Sequence, residues 1–353
     1  MPIPPLLRDL LAAAGPSGRE DAAARVWREA AAAFADVSTD ALGSSIARVA
    51  GTGGGPLLAL VGHIDEIGFV VTHVSEEGYL HVQPLGGWNP QVLHGQRVEL
   101  LTQGGPVQAV VGRDWPGPTK PGEGRQALEL ENLHLDVGAR DRAEAEERVQ
   151  VGDVGVIAAE PLELPNGRIA SRALDDRVGA YVVLESLRRV SEAPVAGDVA
   201  AVASVAEETT GAWSAGARTA VYALEPDVAI VVDVTDATDV PGGDRKIRGE
   251  LRVGAGPAVG RGAPLSGAVS DLLFAVAEES GIAVVPEIEA GSTATDADAV
   301  HLTRSGIPTA LISIPVRYVH TPNELASLDD VEAAVRLVVG FAGRLDASAR
   351  LAP

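Results

Sequence analysis

The stretch DVAAVASVAEETTGAW, residues 198–213, joins a short apolar run to two adjacent acids, Glu207 and Glu208. A run of this length with Val and Ala throughout reads as a strand buried on both faces. At its mouth two like charges raise each other's pKa, and removing them from water is costly unless a partner compensates. Something positive is expected there. Around this strand the chain alternates: helix over 174–190, strand over 198–206, helix over 213–223, strand over 227–233, helix over 267–280, strand over 283–288, helix over 296–304, strand over 308–314 and helix over 329–345. That alternation predicts an α/β fold, a mostly parallel sheet with helices on both faces.

Upstream, PPLLRDLLAAAG reads as a short amphipathic helix, and Ser17 and Glu20 have capping-box spacing ahead of a second helix. PLLALVG is another doubly buried strand, and it ends at His63. From Ile67 to about Glu160 the pattern changes to short β-type runs (IGFVVTHV, GYLHVQPL, QRVELLT, PVQAVVGR, DVGVIAAE) separated by Gly, Pro and Asn, with RAEAEERV as the main helical interruption. The expected organisation is a discontinuous α/β domain, 1–66 and 166–353, interrupted by an inserted small β-rich domain, 67–165.

With 353 residues, 46% of them hydrophobic, the chain can bury a large core. Its net charge of -21 repels phosphate backbones and anionic lipid, which argues against nucleic-acid and membrane-surface roles. The absence of cysteine excludes disulfides, thiolate metal sites and cysteine nucleophiles. Arg8 and Asp9 interrupt the first apolar stretch, and no apolar run reaches about 18 residues, so a cytoplasmic location is expected.

In open α/β sheets ligands gather beyond the carboxyl ends of the strands. Polar residues placed there are His63 and Asp65 in GHIDEIG, Glu207 and Glu208, Asp233 in VAIVVDVTDA, and His320 after TALISIPVRYV. Asp175 and Asp176 in SRALDDRVGAYVV fall in the first turn of a helix, where the dipole favours carboxylates. Each has an ordinary reading: helix-start acids, a solvated acidic loop, a turn-capping aspartate, core or surface histidines. Such ordinary roles are assigned to His73, His81, His94, His134 and His301. Five separate element ends carrying ligand-type residues are hard to obtain by accident, and imidazoles with carboxylates suit Zn²⁺, Co²⁺ or Mn²⁺.

At this point the chain resembles a family. GPSGRED, GHIDEIGFVVTHV, QPLGGWNPQVLHGQRVEL, RALDDRVGAYVVLE, AEE, GARTAVYALEPDVAIVVDVTDATDVPG and TDADAVHLTRSGIPTALISIPVRYVHTPNE look like the M42 metallo-aminopeptidases, glutamyl and deblocking aminopeptidases of which some carry endoglucanase names. The resemblance implies a dinuclear, zinc-peptidase-like α/β domain with an inserted β dimerisation domain, often built into tetrahedral dodecamers. It makes His63 and Asp233 ligands of one metal, Glu208 and His320 ligands of the other, and Asp175 the bridge. Glu207 would be the general base acting on a metal-bridged water, and Asp65 would orient His63. Whether Asp175 or Asp176 bridges stays open, and the peptide bond between them is expected to be cis. Two stretches depart from the family pattern: TTGAWSAGA after the paired glutamates, and GRDWPGPTKPGEGR in the inserted segment. The implied activity is hydrolysis of N-terminal residues from peptides with a free amine. A glycoside hydrolase using paired carboxylates and a non-catalytic peptide-binding or assembly protein are the rivals; the first explains neither histidine, and the second would be favoured by a missing ligand.

Overall fold

A computed structural model describes residues 2–114, 128–210, 213–346 and 351. Most of the stretch 112–125 therefore lies outside the described residues, as do two positions of the loop after Glu208.

Strands β1 (Asp36–Thr39), β2 (Ser45–Val49) and β3 (Leu58–His63) lead into six strands, β4 (Gly68–Val74), β5 (Leu80–Leu85), β6 (Arg97–Thr102), β7 (Gly105–Arg113), β8 (Leu133–Asp136) and β9 (Val154–Ile157). These six close into a barrel in the order β4-β5-β8-β7-β6-β9. Inward residues such as Phe69, Leu80, Val98 and Leu100 fill it, and Phe69 stacks on Trp88 with ring centroids 5.2 Å apart. Next come β10 (Leu162–Leu164) and β11 (Arg168–Ser171), then β12 (Val199–Ser204), β13 (Val228–Asp236), β14 (Ala258–Gly262), β15 (Val285–Glu289), β16 (Thr309–Val316) and β17 (Glu324–Ser327). β10, β11 and β17 form a small sheet of their own.

The large sheet has eight strands in the order β1-β2-β12-β3-β13-β16-β14-β15. It is mixed: β12, β3, β13 and β16 run parallel, as do β14 and β15, but β1, β2 and β12 pair antiparallel in turn and β14 opposes β16. Chain direction reverses where successive strands of this sheet are joined without a long crossover helix. A tight turn joins β1 to β2, and the link from β13 to β14 holds only the four-residue helix Arg245–Arg248 among its described elements. Helices Leu174–Glu192, Gly267–Ser280 and Leu328–Arg344 bury one face of the sheet, and Ala215–Leu224 with Ala297–Val300 cover part of the other. Among the described residues no helix is long and apolar enough to cross a membrane.

The N-terminal helices are Pro5–Ala12 and Asp21–Ala31. The expected capping box does not form. Glu20 accepts the Gly18 N–H at 2.7 Å, and the Ser17 hydroxyl instead donates to Asp65 Oδ2 at 2.5 Å, 48 residues away. A charged acceptor in a buried site outcompetes a local backbone N–H. Sequence spacing alone carries no sign of that distant partner.

One close approach positions everything that follows. Helix Leu174–Glu192 lies so near β3 that a Cβ on Gly62 would sit 2.7 Å from the Gly179 carbonyl carbon. Glycine at both positions lets the helix start, with Asp175 and Asp176, rest against the end of the strand that carries His63.

Candidate metal centre

His63 ends β3, Asp233 lies in β13, Glu207 and Glu208 open the short helix Glu207–Thr210 just after β12, and His320 follows β16. Parallel register places His63 beside Ser204, so the acids after β12 emerge next to the imidazole. Asp175 arrives from β11, which pairs with β17 so that Ser171 faces Glu324. All seven candidates therefore meet at one end of the central strands.

The geometry centres on Asp175. Its Oδ1 lies 3.1 Å from His63 Nε2 and its Oδ2 lies 3.3 Å from His320 Nε2. Two groups result that share this carboxylate, His63–Asp175–Asp233 and Asp175–Glu208–His320, each with ligand atoms within 4.8 Å of one another. Glu208 Oε2 is 3.3 Å from His320 Nε2, and Asp233 Oδ1 is 4.0 Å from His63 Nε2. Asp176 faces away: its oxygens accept the backbone N–H groups of His63 at 3.1 Å and Gly179 at 2.9 Å. The Asp175–Asp176 peptide bond is cis.

Asp65 works behind the histidine. One oxygen lies 3.4 Å from His63 Nδ1 and accepts the Glu207 N–H at 3.1 Å; the other accepts the Glu208 N–H at 3.2 Å and the Ser17 hydroxyl. Burial raises its pKa, but the adjacent His63 imidazole, first, and these hydrogen bonds hold the carboxyl below its usual range. It stays ionised and fixes the ring.

The site carries surplus negative charge. Burial pushes the Glu207 carboxyl up to about 10 despite the nearby imidazole, and it pushes Asp233 well above the usual carboxylate range and Glu208 above it. The imidazoles go the other way. Burial opposes their charge, yet bonds to Asp175 and Glu208 hold His320 at about 11, and Asp175 and Asp65 hold His63 well above normal. Protons compete for the electron pairs that a cation would use, and a dication would stabilise the carboxylates. The donor set fits divalent ions. Among the described residues, buried Glu208 Oε1 has no hydrogen-bond partner, leaving an acceptor that a cation would satisfy.

Several residues that hold the site escape sequence reading. Glu324, 2% exposed, accepts the Asp175 N–H at 3.0 Å with one oxygen and the His320 N–H at 2.9 Å with the other. It thus joins a carboxylate and an imidazole 145 residues apart in sequence, and it helps hold His320 at φ +58°, a left-handed value that is uncommon for a non-glycine residue. Buried Glu66 pairs with Arg172 and, at 3.1 Å, with Arg177, tying the residue after Asp65 to residues flanking the two aspartates. Asp296 accepts the Ser204 hydroxyl beneath the paired glutamates. The signal available for Glu324 is its place four residues after His320 in HTPNE; the others announce nothing until the chain is folded. His73, His81, His94, His134 and His301 lie in neither group.

Comparison with known proteins identifies the family. The family model of M42 glutamyl aminopeptidases matches residues 43–337. Lysyl aminopeptidase of Pyrococcus furiosus is 34% identical over 304 residues, 86% of this chain and 85% of that protein. A TET aminopeptidase from a marine-sediment thaumarchaeon superposes with a TM-score of 0.91 at 35% identity, covering 97% of this chain and 96% of that one. The TET1 peptidase of Pyrococcus horikoshii, described as assembling into a tetrahedron or a large octahedral shell, gives 0.84 at 26% identity over 96% and 99% of the two chains. With a family model spanning most of its length and relatives alike nearly end to end, the chain belongs to the M42 glutamyl aminopeptidase family.

Proposed function

We propose that the protein is a dinuclear metal-dependent aminopeptidase that removes N-terminal residues from peptides. The observation that carries this reading is the shared carboxylate: Asp175 turns one oxygen to His63 and the other to His320. In this reading His63 and Asp233 would hold one divalent ion, Glu208 and His320 the second, and Asp175 would be shared by both groups. Zn²⁺, Co²⁺ and Mn²⁺ all suit the ligands.

Bound there, the pair of ions supplies Lewis acidity toward the scissile carbonyl and brings the pKa of water toward neutrality. Glu207 serves as the base. Its backbone is fixed by the bond to Asp65, and a carboxyl that burial alone would keep protonated becomes a competent proton acceptor once cations lie beside it. It then returns the proton to the leaving amine. Asp65 holds His63 in the orientation that directs Nε2 into the site. The family name and the lysyl relative point to different N-terminal residues, so membership alone does not choose the substrate. Self-association through the barrel, as dimers and then a tetrahedral dodecamer, is part of the proposal; it rests on the shell-forming neighbour.

The deciding experiment compares E207Q with E208Q by elemental analysis and by kinetics at saturating metal. E207Q should retain both ions and lose about 10²- to 10⁴-fold in kcat. E208Q should lose metal as well. Full wild-type activity after exhaustive chelation would refute the metal-dependent reading and favour the glycosidase.

A further inference from the structure

A cavity of about 320 Å³ opens along the strands that carry and flank Asp233; no candidate ligand lines it, but Thr235 and Ser313 do. Thr235 lies two residues beyond Asp233 on the same strand, so their side chains share a face of the sheet about 7 Å apart. Ser313 pairs in register with Asp233 and lines the same cavity. The opposite wall is the segment 292–295, which leads directly to Asp296. Asp298 pins that wall, accepting the N–H groups of Thr293 at 2.9 Å and Ala294 at 3.1 Å together with the Thr293 and Ser292 hydroxyls. A preformed recess is thus attached to the site. A larger depression, about 410 Å³, is lined only by residues of the inserted segment between Thr102 and Asp153, and by none from the strands that carry the candidate ligands.

The recess combines hydrocarbon, hydroxyl and acidic linings. Leu251 and Leu311 supply hydrocarbon, and Glu287, 7% exposed, reaches in from β15 to accept the Ser313 hydroxyl at 2.5 Å. Among the described residues no arginine, lysine or histidine lies within ion-pair distance of Glu287 or of Glu289, which lines the cavity too. Arg248 also borders the recess and its charge acts on Glu287 and Glu289 from beyond ion-pair distance, but it is more than half exposed and pairs with Asp236 at 2.7 Å. A buried carboxylate without a cation is costly, and burial holds Glu287 above the usual range. Hydrocarbon and hydroxyl groups beside an acid match a side chain with an aliphatic stem and a cationic tip.

We infer that this cavity receives the side chain of the substrate's N-terminal residue and that Glu287 makes lysine and arginine the preferred ones. The inference rests on the aminopeptidase reading. It places the scissile bond at the metal ligands and the first side chain along β13, over Thr235 and toward Glu287. A glutamyl or aspartyl side chain would meet Glu287 and Glu289 as like charges; a leucyl side chain would meet the hydrocarbon and leave Glu287 without a cation.

The test uses the metal-loaded enzyme with lysyl-, arginyl-, leucyl- and glutamyl-p-nitroanilide. Wild type should show kcat/KM at least about 10-fold higher for lysyl and arginyl than for leucyl, the range expected for one charge-assisted hydrogen bond, with glutamyl lowest. In E287Q the lysyl-to-leucyl ratio should fall about 10- to 100-fold. A wild-type preference for leucyl or glutamyl, or an unchanged ratio in E287Q, overturns the inference. If circular dichroism shows E287Q unfolded, the order of the four wild-type rates alone decides. If no substrate is cleaved, the aminopeptidase reading fails and calorimetry decides the pocket separately: lysinamide binding more tightly than leucinamide supports it, and equal binding overturns it.

Discussion

Replacing Glu66 with glutamine should destabilise the protein as much as a severe core mutation does. Glu66 is 3% exposed in its side chain and pairs with Arg177, 0% exposed, and Arg172, 8% exposed. Glutamine keeps the shape but removes the charge, leaving two buried guanidinium groups with backbone carbonyls: Leu10 at 2.5 Å and Ala13 at 2.9 Å for Arg177, and Ala12 at 3.2 Å for Arg172. Burial already pulls Arg177 down to about 10 with Glu66 present, and Glu66 is the leading charge that opposes this, ahead of Asp65 and Glu20. Breaking a buried pair costs about 3–5 kcal/mol. At about 2.1 cal/mol/K of unfolding entropy per residue, 353 residues turn that into a fall in Tm of about 4–7 °C. The control is D198N, which breaks the Arg48–Asp198 pair, with side chains 48% and 35% exposed, and should cost about 0.2–1 kcal/mol. Differential scanning fluorimetry and urea unfolding on both variants provide the comparison. If E66Q shifts no further than D198N, the buried network is not what joins the two acidic motifs.

Three further perturbations follow. Gly179→Ala places a Cβ about 2.3 Å from both Asp176 carboxylate oxygens and 2.5 Å from the Val232 carbonyl; overpacking of about 1–3 kcal/mol and lower metal content by elemental analysis are expected, and normal stability with full metal would show that the helix can shift freely. His63→Ala or His320→Ala should each lower metal affinity by more than the roughly 10–100-fold typical of losing an outer partner, measured by competition with a chromogenic chelator; wild-type affinity in either variant removes that residue from the ligand set. Replacing residues 68–157 by a short Gly/Ser linker should reduce particle mass in light scattering while the remainder still binds metal. Unchanged mass would locate assembly contacts elsewhere.

What the sequence reveals and what it conceals follow from how far each residue reaches. His63, Glu207, Asp233 and His320 are legible because each sits at or near the end of an apolar run, and strand polarity alone sends those ends to one place. Ser17, Glu66, Arg172, Asp296 and Glu324 are not. Each acts across 92 to 149 residues or, for Ser17, 48, through hydrogen bonds and ion pairs that leave no periodic trace. The expected α/β character is present, whereas a mostly parallel sheet understates its antiparallel pairs. Strand β14, AVGRG, carries two glycines and an arginine in five residues, so its pattern is too weak to predict either its existence or its direction.

The same long reach explains why the centre can hold so many acids. Left alone, Asp175, Glu207, Glu208 and Asp233 would separate or protonate, because like charges in a dry site repel and desolvation adds to that repulsion. The chain prevents separation by anchoring the backbone rather than the carboxylates: Asp65 takes the N–H groups of Glu207 and Glu208, Glu324 takes those of Asp175 and His320, and Asp176 takes those of His63 and Gly179. Three buried acids therefore use their acceptors to hold the frame, which frees the remaining carboxylates to face inward. That division also separates adjacent residues of the same type. Asp175 presents both oxygens to imidazoles while Asp176 presents both to backbone, so aspartate-to-asparagine changes at the two positions should act differently: at 175 on the charge available to a cation, at 176 on the geometry with which β3 meets its helix.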